Sequence, residues 1–305
     1  MAPDQKYVLV TAAYNEAAFL PTVIASVVSQ VLPPYKWVIV SDGSTDGTDE
    51  MVRKAAGKWP FIELVCVTER HGRDFAAQVN AINIGFQRLS RVPYEFIGNL
   101  DADISFDPGY FHQLLQQFEN DANLGLAGGF ICEEKNGSFQ PRPANRERSV
   151  PHAVQFFRRQ CFEAIGGAYL PLKYGGPDWH AEVMARMQDW KVQSFADLPV
   201  RHHRPTGMAS GALRYRYGQG KMDYSLGSYP PFEVIKCLRR FFHRPVALGA
   251  VVRLVGFTSA AMHREELLVA PSFREFLQTE QKQRLSLALR RALLLGHTAR
   301  GGSAC

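Results

Sequence analysis

The feature that most constrains how this chain folds is a regular alternation of short apolar runs with helical patterns between residues 7 and 100. Four apolar runs predict strands at Tyr7–Ala12, Trp37–Ser41, Ile62–Val67 and Tyr94–Leu100. Apolar residues with a helical period predict helices between them at Ala17–Gln30, Thr48–Ala56 and Phe75–Leu89. This βαβαβαβ order predicts an α/β fold, in which a mostly parallel sheet is flanked by helices on both faces.

The rest of the chain is less regular. Short strands are predicted at "LGLAGGFI", "SVPHAVQFF" and "VQSFA", and helices at Arg159–Ile165 and Asp178–Asp189. Residues 214–300 show mostly helical patterns. We therefore predict a first domain over residues 1–213 and a helical C-terminal extension over residues 214–305.

Charge separates these two parts of the chain. The 305 residues are 46% hydrophobic and 21% charged, which is typical of a globular protein and excludes a disordered one. Residues 1–213 hold 20 Lys/Arg and 23 Asp/Glu, a net charge of −3, whereas residues 214–300 hold 15 and 6, a net charge of +9. The extension therefore predicts a polyanionic partner, and an anionic membrane is favoured because no nucleic-acid-binding motif or aromatic–basic repeat is present.

The cysteines and the N-terminal residues indicate a cytoplasmic protein. The five cysteines have no metal-site or redox-motif spacing, so reduced thiols are expected. The first residues lead into a strand without a long apolar segment, so we expect no signal peptide.

Polar residues follow the predicted strands where each one ends. Asn15 and Glu16, Asp42, Asp101 and Asp103 all occupy such positions. Ligands of parallel α/β sheets bind beyond the carboxyl ends of the strands. The sequence therefore predicts a binding site along one edge of the sheet.

The pair in "LDADIS" is the strongest candidate for a metal site. Asp101 and Asp103 are two positions apart after a strand, so both carboxylates point to the same side. Mg²⁺ and Mn²⁺ prefer such oxygen ligands and keep positions for phosphate. The alternative is a pair that caps the next helix, but Asp107 before Pro108 is expected to provide that cap.

The other two strand ends each allow a second interpretation. In "VSDGSTDGT", the Asp42 carboxylate is suited to accept an N–H of a nucleotide base, or the segment is a polar turn capped by Asp46 or Thr48. In "TAAYNE", Tyr14 is suited to stack on a flat ring, or Asn15 or Glu16 caps the following helix.

Together these segments resemble family 2 glycosyltransferases with the GT-A fold. The matching segments occur in the family's order: "AAYNE", "SDGSTD", "RDFAAQVNAINIGF", "LDAD", "FFRRQCFEAIGG", "YGGPDWHAEVMARM" and "VRHHRPTG". The resemblance covers about residues 5–215, and the ordered set is far more specific than any single segment.

The resemblance implies an inverting, hexosyltransferase-type enzyme that uses Mn²⁺ or Mg²⁺ and a nucleoside diphosphate sugar. Asp178 would be the catalytic base, and Asp101, Asp103 and His203, or its neighbour His202, would hold the metal. The nucleotide sugar would contact these residues: Ala12, Tyr14, Glu16, Asp42, Asn80 and Asp101. Asp178 is also suited to cap its helix, and the histidines to a solvated basic loop. The family's usual Glu-Asp pair is Pro177-Asp178 here, which leaves sugar and acceptor preference open.

The extension contains the most apolar segment of the chain, Val246–Met262. It carries one charge, Arg253, and is shorter than the ~20 residues that a bilayer-spanning helix needs. Flanking arginines, namely Arg239, Arg240, Arg244 and Arg264, favour a helix lying on the inner face of the plasma membrane. The alternative is a helix that packs on the rest of the protein.

We expect the acceptor to be a glycan, one linked to lipid if the extension meets a membrane, in the synthesis of a surface or exported polysaccharide. Two other functions stay open. A sugar-phosphate nucleotidylyltransferase would need a glycine-rich basic loop where this chain has "TAAYNEAAF". A non-catalytic nucleotide-sugar-binding scaffold would have no need of Asp103 and Asp178.

Overall fold

The computed structural model describes residues 6–68, 75–204, 211–239 and 247–300. The chain forms two compact units, Met1–Thr206 and Gly207–Cys305. Residues 1–5, on which the expectation of no signal peptide rests, lie outside the described residues. The predicted roles of residues 1–213 and 214–305 as separate domains stay a prediction.

Within its described residues, the first unit contains one sheet and six α-helices. The strands are β1 (Tyr7–Ala13), β2 (Lys36–Asp42), β3 (Ile62–Val67), β4 (Phe96–Asn99), β5 (Ile104–Phe106), β6 (Leu124–Lys135), β7 (Ser138–Pro141), β8 (Phe156–Arg158) and β9 (Lys191–His202). The helices are α1 (Leu20–Val28), α2 (Thr48–Lys58), α3 (Phe75–Leu89), α4 (Tyr110–Asn120), α5 (Arg159–Ala164) and α6 (Pro177–Met187).

The sheet has the order β3-β2-β1-β4-β8-β6-β9-β5, and β7 pairs with β6. The first four of these strands are parallel, as are β6 and β9. β8 is antiparallel to both of its neighbours, and β5 is antiparallel to β9. The predicted α/β fold with a mostly parallel, helix-flanked sheet is confirmed.

The central strands β1, β2 and β4 are buried on both faces, which explains their continuous apolar sequences. Alternate residues of β1 enter different apolar clusters, Tyr7 and Leu9 one and Val8 and Val10 the other. The first cluster includes α1, α2 and α4, and the second includes α3, α5 and α6. Helix α3 approaches the sheet closely at Gly85, where a Cβ atom would lie 2.4 Å from a methyl of Val10. The core thus holds the carboxyl ends of β1, β2 and β4 at one edge.

Two local predictions were wrong, and a third strand was predicted too short. "SVPHAVQFF" is not a continuous strand, because a 3-10 turn (His152–Val154) precedes β8. "VQSFA" is only part of β9, a strand that continues to His202. Asp107 does not cap α4, since Gly109 is the N-cap residue without a side-chain bond, and the Asp107 carboxylate instead lies 2.9 Å from the Arg201 guanidinium.

The second unit is helical in its described residues, so the predicted helical C-terminal part is confirmed. Its helices are α7 (Ala212–Ser225), α8 (Pro230–Arg239), α9 (Leu248–Met262) and α10 (Pro271–Arg300). Helices α7 and α9 pack backbone to backbone, since a Cβ at Gly220 would lie 2.0 Å from the Arg253 carbonyl oxygen. None of the helices in the described residues has the length and hydrophobicity that crossing a bilayer requires. Arg240 and Arg244 lie outside these residues.

Candidate active site

The loops after β1 and β2 are bound to each other. The backbone N–H of Asn15 donates to Ser44 Oγ at 3.1 Å, and the Asn15 side-chain oxygen accepts from the Thr45 N–H at 2.8 Å. The Glu16 N–H donates to Thr48 Oγ1 at 2.9 Å. These side chains therefore join neighbouring loops, and Asn15 and Glu16 do not cap α1, whose N-cap residue Phe19 has no side-chain bond.

The ends of β1 and β2 place three predicted donor-binding residues in one region. Ala12 pairs with Val40 in the parallel register, so Tyr14 and Asp42 follow at the same edge of the sheet. All three predicted residues, Ala12, Tyr14 and Asp42, are half-buried. Asp46, one of the two residues predicted to cap α2, accepts bonds from the Thr48 N–H and hydroxyl, but the N-cap residue of α2 is Gly47.

A cluster of possible metal ligands lies at the end of β4. One ligand atom from each of Asp101, Asp103 and His202 lies within 4.8 Å of the other two. The segment is fixed by the backbone, because the Asp101 N–H donates to the Ala153 oxygen at 3.0 Å. His202 arrives from β9, which pairs with β5 directly opposite Ile104. Its Nε2 lies 3.1 Å from Asp103 Oδ1.

The structure brings His202 to this cluster, and it places the predicted ligand His203 elsewhere. The His203 ring nitrogen Nε2 lies 2.8 Å from Ser105 Oγ, and its ring packs edge-on against Phe139. Its backbone N–H donates to the Asp103 carbonyl oxygen at 2.9 Å. Strand β9 ends at His202, and His203, the first residue beyond it, bonds to Ser105, so His202 rather than His203 reaches the carboxylates.

Arg204 joins the first loop to the metal-ligand cluster. Its guanidinium makes two hydrogen bonds to the Glu16 carboxylate, and its Nε lies 3.6 Å from Asp103 Oδ2. Burial raises the pKa of Glu16, and the charges of Asp103 and Asp101 raise it further against the opposing effect of Arg204. Glu16 therefore belongs to the same electrostatic group as the aspartates, and Arg204 supplies that group's permanent positive charge.

Asp101 is held in its ionised form. Burial alone would raise the pKa of Asp101, but the neighbouring His152 and the charges of His202 and Arg204 lower it below its usual value. His152 Nδ1 lies 3.5 Å from Asp101 Oδ1. The Asn99 amide fixes this histidine by donating to its carbonyl oxygen at 2.7 Å.

Asp178 occupies the first turn of α6, after Gly176, whose positive φ of 88° makes the tight entry to the helix. The preceding segment is tied to the sheet, since Gln155 donates to the Asp178 carbonyl oxygen at 3.2 Å and accepts from the Tyr169 hydroxyl at 2.6 Å. Asp178 and Asp101 both raise the pKa of the buried Tyr169, after the larger effect of its burial. Asp178 therefore lies within electrostatic range of the same region as Asp101.

Asn80 is exposed on α3. Its neighbour Asn83 holds the fold instead, because its amide both donates to the Tyr169 carbonyl oxygen at 2.8 Å and accepts from the Tyr169 N–H at 2.9 Å. Asn83 therefore has a structural role, whereas Asn80 stays a predicted contact of the donor.

Comparison with known proteins identifies the family. A family model described as "Glycosyl transferase family 2" matches residues 8–172, more than half of the 305 residues. The chain belongs to glycosyl transferase family 2. The predicted family is confirmed, and all the strand ends described above except the His202 end of β9 lie within the matched residues.

Curated relatives match part of this glycosyltransferase. It is 29% identical over 118 residues to the poly-beta-1,6-N-acetyl-D-glucosamine synthase of Staphylococcus aureus strain COL, and the match covers 39% of this chain. The protein of that name from Staphylococcus epidermidis matches with the same identity over the same length. The matched segment spans about a quarter, 26%, of the length of these relatives.

Solved structures share the fold. A mannosyltransferase from Pyrobaculum calidifontis, in complex with GDP-Man and Mn2+, superposes with a TM-score of 0.57 at 16% identity, covering 94% of this chain and 87% of that one. TarS 1-349 of S. aureus, in complex with UDP-GlcNAc, has a TM-score of 0.52 at 13% identity and covers 85% and 73%. At these identities the likeness shows the GT-A-like fold of the glycosyltransferase.

The ligand cluster of this glycosyltransferase fits a divalent cation. Asp101 Oδ1 and His202 Nδ1 are buried polar atoms without a hydrogen-bond partner within the described residues. Two carboxylates and one imidazole form a donor set that suits Mn²⁺, and Mg²⁺ when the carboxylates dominate. A cation here would satisfy the Asp101 oxygen that the protein leaves without a bond.

Two residues of the site were missed by the sequence analysis. His152 lies in the turn that was predicted as a strand, and Arg204 was interpreted only as part of a basic loop. Neither has a local pattern that would reveal it, because each reaches the aspartates through contacts between distant segments. His202 was named only as an alternative to His203.

Proposed function

We propose that this chain is an inverting, metal-dependent glycosyltransferase that moves a hexosyl group from a nucleoside diphosphate sugar to a glycan acceptor. The observation that carries the proposal is the ligand cluster of Asp101, Asp103 and His202 at the edge of the sheet. Its carboxylates follow β4, next to the strand ends that carry Tyr14 and Asp42. Membership of the family supports glycosyl transfer as the reaction.

The donor nucleotide would bind over the ends of β1 and β2. Ala12 and Tyr14 provide an apolar and aromatic wall for a base, and the Asp42 carboxylate accepts a base N–H. Asn80, exposed on α3, is a further donor contact. The similar structures in complex with GDP-Man and UDP-GlcNAc support a nucleotide sugar as the donor. Guanine and uracil are therefore the two bases to test.

The reaction needs charge stabilisation at the diphosphate. Asp101, Asp103 and His202 would hold Mn²⁺ or Mg²⁺, and a bound cation supplies positive charge that stabilises the leaving diphosphate. Arg204 adds a guanidinium beside Asp103 that is suited to the same anion. Asp101 is kept ionised, which suits a ligand oxygen.

The reaction also needs a base for the acceptor. Asp178 would accept the proton of the attacking hydroxyl, so that the bond from the acceptor oxygen to the anomeric carbon forms as the bond to the diphosphate breaks. One displacement inverts the anomeric configuration. A retaining double displacement needs a carboxylate nucleophile close to the sugar, and Asp178 is assigned to the base.

The acceptor would be a growing glycan of a surface or exported polysaccharide. The named function of the S. aureus relative supports a polysaccharide. The net charge of +9 over residues 214–300 supports an acceptor linked to lipid, with the protein on the cytoplasmic face of a membrane.

Transfer assays with UDP-GlcNAc and GDP-mannose, each with Mn²⁺ or with EDTA, test this function. We expect release of nucleoside diphosphate from one donor that requires metal and is lost in Asp178→Asn, and a product of inverted configuration by NMR. Binding of the nucleotide sugar without turnover would favour the scaffold alternative. Release of pyrophosphate from a nucleoside triphosphate and a sugar phosphate would favour the nucleotidylyltransferase.

A further inference from the structure

Helix α9 buries its one charged residue and exposes several of its large apolar residues. Arg253 is 3% exposed, in the middle of the helix. Leu248, Val251, Val255 and Met262 are between 49% and 82% exposed. Their spacing of three, four and seven residues places them on one face of the helix. A surface helix of a globular protein ordinarily exposes its charged residues and buries its large apolar ones.

The neighbouring helix α8 repeats this arrangement. Val234 and Leu238, one turn apart, are both exposed. Glu233 and Cys237, also one turn apart, are buried. We call the six large exposed hydrophobic residues of α8 and α9 the apolar face: Val234, Leu238, Leu248, Val251, Val255 and Met262.

Each charged side chain buried between these helices has a partner of opposite charge. This explains how α8 and α9 can bury charged residues and expose apolar ones. Arg253 Nε donates to Glu233 Oε1 at 2.9 Å, and its Nη2 bonds to Asp223. Lys236 reaches Asp223 at 2.8 Å and Glu233 at 2.9 Å. Arg253 Nη1 donates a hydrogen bond to Gln219 Oε1 at 2.8 Å. Two carboxylates thus meet two cations in the interior of the second unit.

The network takes up two basic and two acidic residues of the 15 and 6 in residues 214–300, so 13 and 4 remain outside it and the net charge of +9 is kept. Its two acidic residues, Asp223 and Glu233, are buried. A third, Glu265, lies 2.6 Å from Lys221. Exposed cations remain close to the apolar face, with Arg239 directly after Leu238 and Arg264 two positions after Met262. An apolar surface with basic residues at its borders complements an anionic lipid surface.

We propose that the apolar face of α8 and α9 docks this protein onto an anionic membrane. Helix α9 lies in the plane of the interface, with Val251 and Val255 below the head groups and Arg239 and Arg264 at their level. Arg253 takes no part in lipid binding, because it points into the protein. This differs from a helix that offers all of its arginines to the head groups. The inference rests on the second unit alone and does not depend on the transfer reaction.

Sedimentation of the full chain with phospholipid vesicles tests the docking. The probes are vesicles of phosphatidylglycerol and phosphatidylcholine at equal amounts, and vesicles of phosphatidylcholine alone, in 0.15 M salt (about physiological). We expect binding to the anionic vesicles. Val255→Glu lowers the partition coefficient roughly tenfold, because a carboxylate then enters the apolar region of the interface. The matched control Gln87→Glu adds the same charge on an exposed position of α3 and binds as the wild type does.

Circular dichroism and the thermal midpoint establish that each variant is folded, and Val251→Glu repeats the test at a second position. Equal binding by the apolar-face variants and the control would overturn the proposal, as would a wild type that does not sediment with anionic vesicles. A concentration-dependent dimer in solution that Val255→Glu dissociates would also overturn it, since the face would then be covered by a second copy of the chain.

Discussion

Each unit of the molecule has a cluster of buried charges, and the two clusters are built differently. In the second unit, Asp223 and Glu233 are each bonded to both Arg253 and Lys236. In the described residues of the first unit, the carboxylates of Glu16, Asp101 and Asp103 share the guanidinium of Arg204, and three atoms of this cluster are buried without a hydrogen bond. Those atoms are Asp101 Oδ1, His152 Nε2 and His202 Nδ1.

This difference separates a structural cluster from a functional one. A buried charge without a partner is costly, so a protein keeps it where a ligand supplies the missing partner. The balanced cluster of the second unit leaves nothing for a ligand to satisfy within the described residues. The acidic excess of the first unit matches a divalent cation and predicts that its residues affect activity more than stability.

The largest expected effect comes from Asp103→Asn. The variant keeps the shape of the side chain and removes one negative charge, so transfer activity falls by at least about 10³-fold, since the cation loses a ligand. The free energy of unfolding changes by less than about 1 kcal/mol, because like charges on Asp101 and Glu16 are relieved. Steady-state assays and urea unfolding measure the two quantities. A stable variant with unchanged activity would contradict the assignment of the cluster as a metal site.

Arg253→Met tests the prediction that the buried charge cluster of the second unit is structural. The substitution leaves two buried carboxylates with Lys236 alone, so the second unit loses about 3–5 kcal/mol of stability. All four tryptophans lie in the first unit, so tryptophan fluorescence reports that unit, and circular dichroism reports both.

We expect the circular dichroism of Arg253→Met to show an early transition in urea, while the fluorescence transition is unchanged. Arg239→Met removes an exposed arginine of α8 and is the matched control, with an expected change within about 0.5 kcal/mol. Equal stability of the two variants would show that the buried network is not structural.

Glu182 gives a pH dependence of stability. Burial and then the charge of Asp178 raise the pKa of this α6 carboxyl to about 8. One of its oxygens accepts bonds from Ser149 Oγ at 2.9 Å and the Val150 N–H at 2.7 Å, which a protonated carboxyl also allows. The folded state therefore holds a proton that the unfolded state loses near the ordinary pKa of 4.5. Its contribution to stability is complete below that pH and is lost as pH rises through about 8.

Glu182→Gln removes this dependence. Between pH 5 and 7 the unfolding free energy of the wild type should fall more steeply than that of the variant, by up to about 1.4 kcal/mol per pH unit. Tryptophan fluorescence in urea measures it, and Glu50→Gln, at an exposed position of α2, should retain the wild-type slope. Parallel curves for Glu182→Gln and the wild type would contradict the raised pKa.

The smallest expected effect comes from His152, a positioning residue that holds the Asp101 carboxylate. His152→Ala should raise the Mn²⁺ concentration needed for half-maximal activity roughly tenfold, as substitutions beside metal ligands do. His152→Asn, which keeps a donor, should recover part of the loss. His263→Ala, at an exposed position of the second unit, is the control. An unchanged metal titration in His152→Ala would remove this histidine from the site.

The sequence allowed the sheet and the carboxylates of the site to be predicted because both depend on local patterns. Apolar runs of strand length specify β1 to β4, and the polar residues at their ends specify the edge where Asp42, Asp101 and Asp103 lie. Residues that reach the site from distant segments escaped prediction. His152 follows an irregular turn, and the choice between His202 and His203 depends on the register of β9 against β5.

The inverted packing of α9 also could not be predicted from its apolar sequence. Both faces of this helix are apolar by composition, so periodicity does not reveal which one is buried. The small residues Gly249, Gly256 and Ala260 lie on the buried face with Arg253, and a Cβ atom at Gly256 would lie 2.2 Å from the Tyr217 carbonyl oxygen of α7. The positions of these small residues in the sequence would have indicated which face of α9 is buried.

The central claim is that the cluster after β4 binds a divalent cation together with the donor diphosphate. Isothermal titration of the full chain with UDP and with GDP, each with Mn²⁺ or with EDTA, tests it most directly. We predict that one nucleotide binds at least about tenfold more tightly with Mn²⁺, and that Asp103→Asn abolishes this difference. An equal Kd with Mn²⁺ and with EDTA in the wild type would contradict the account.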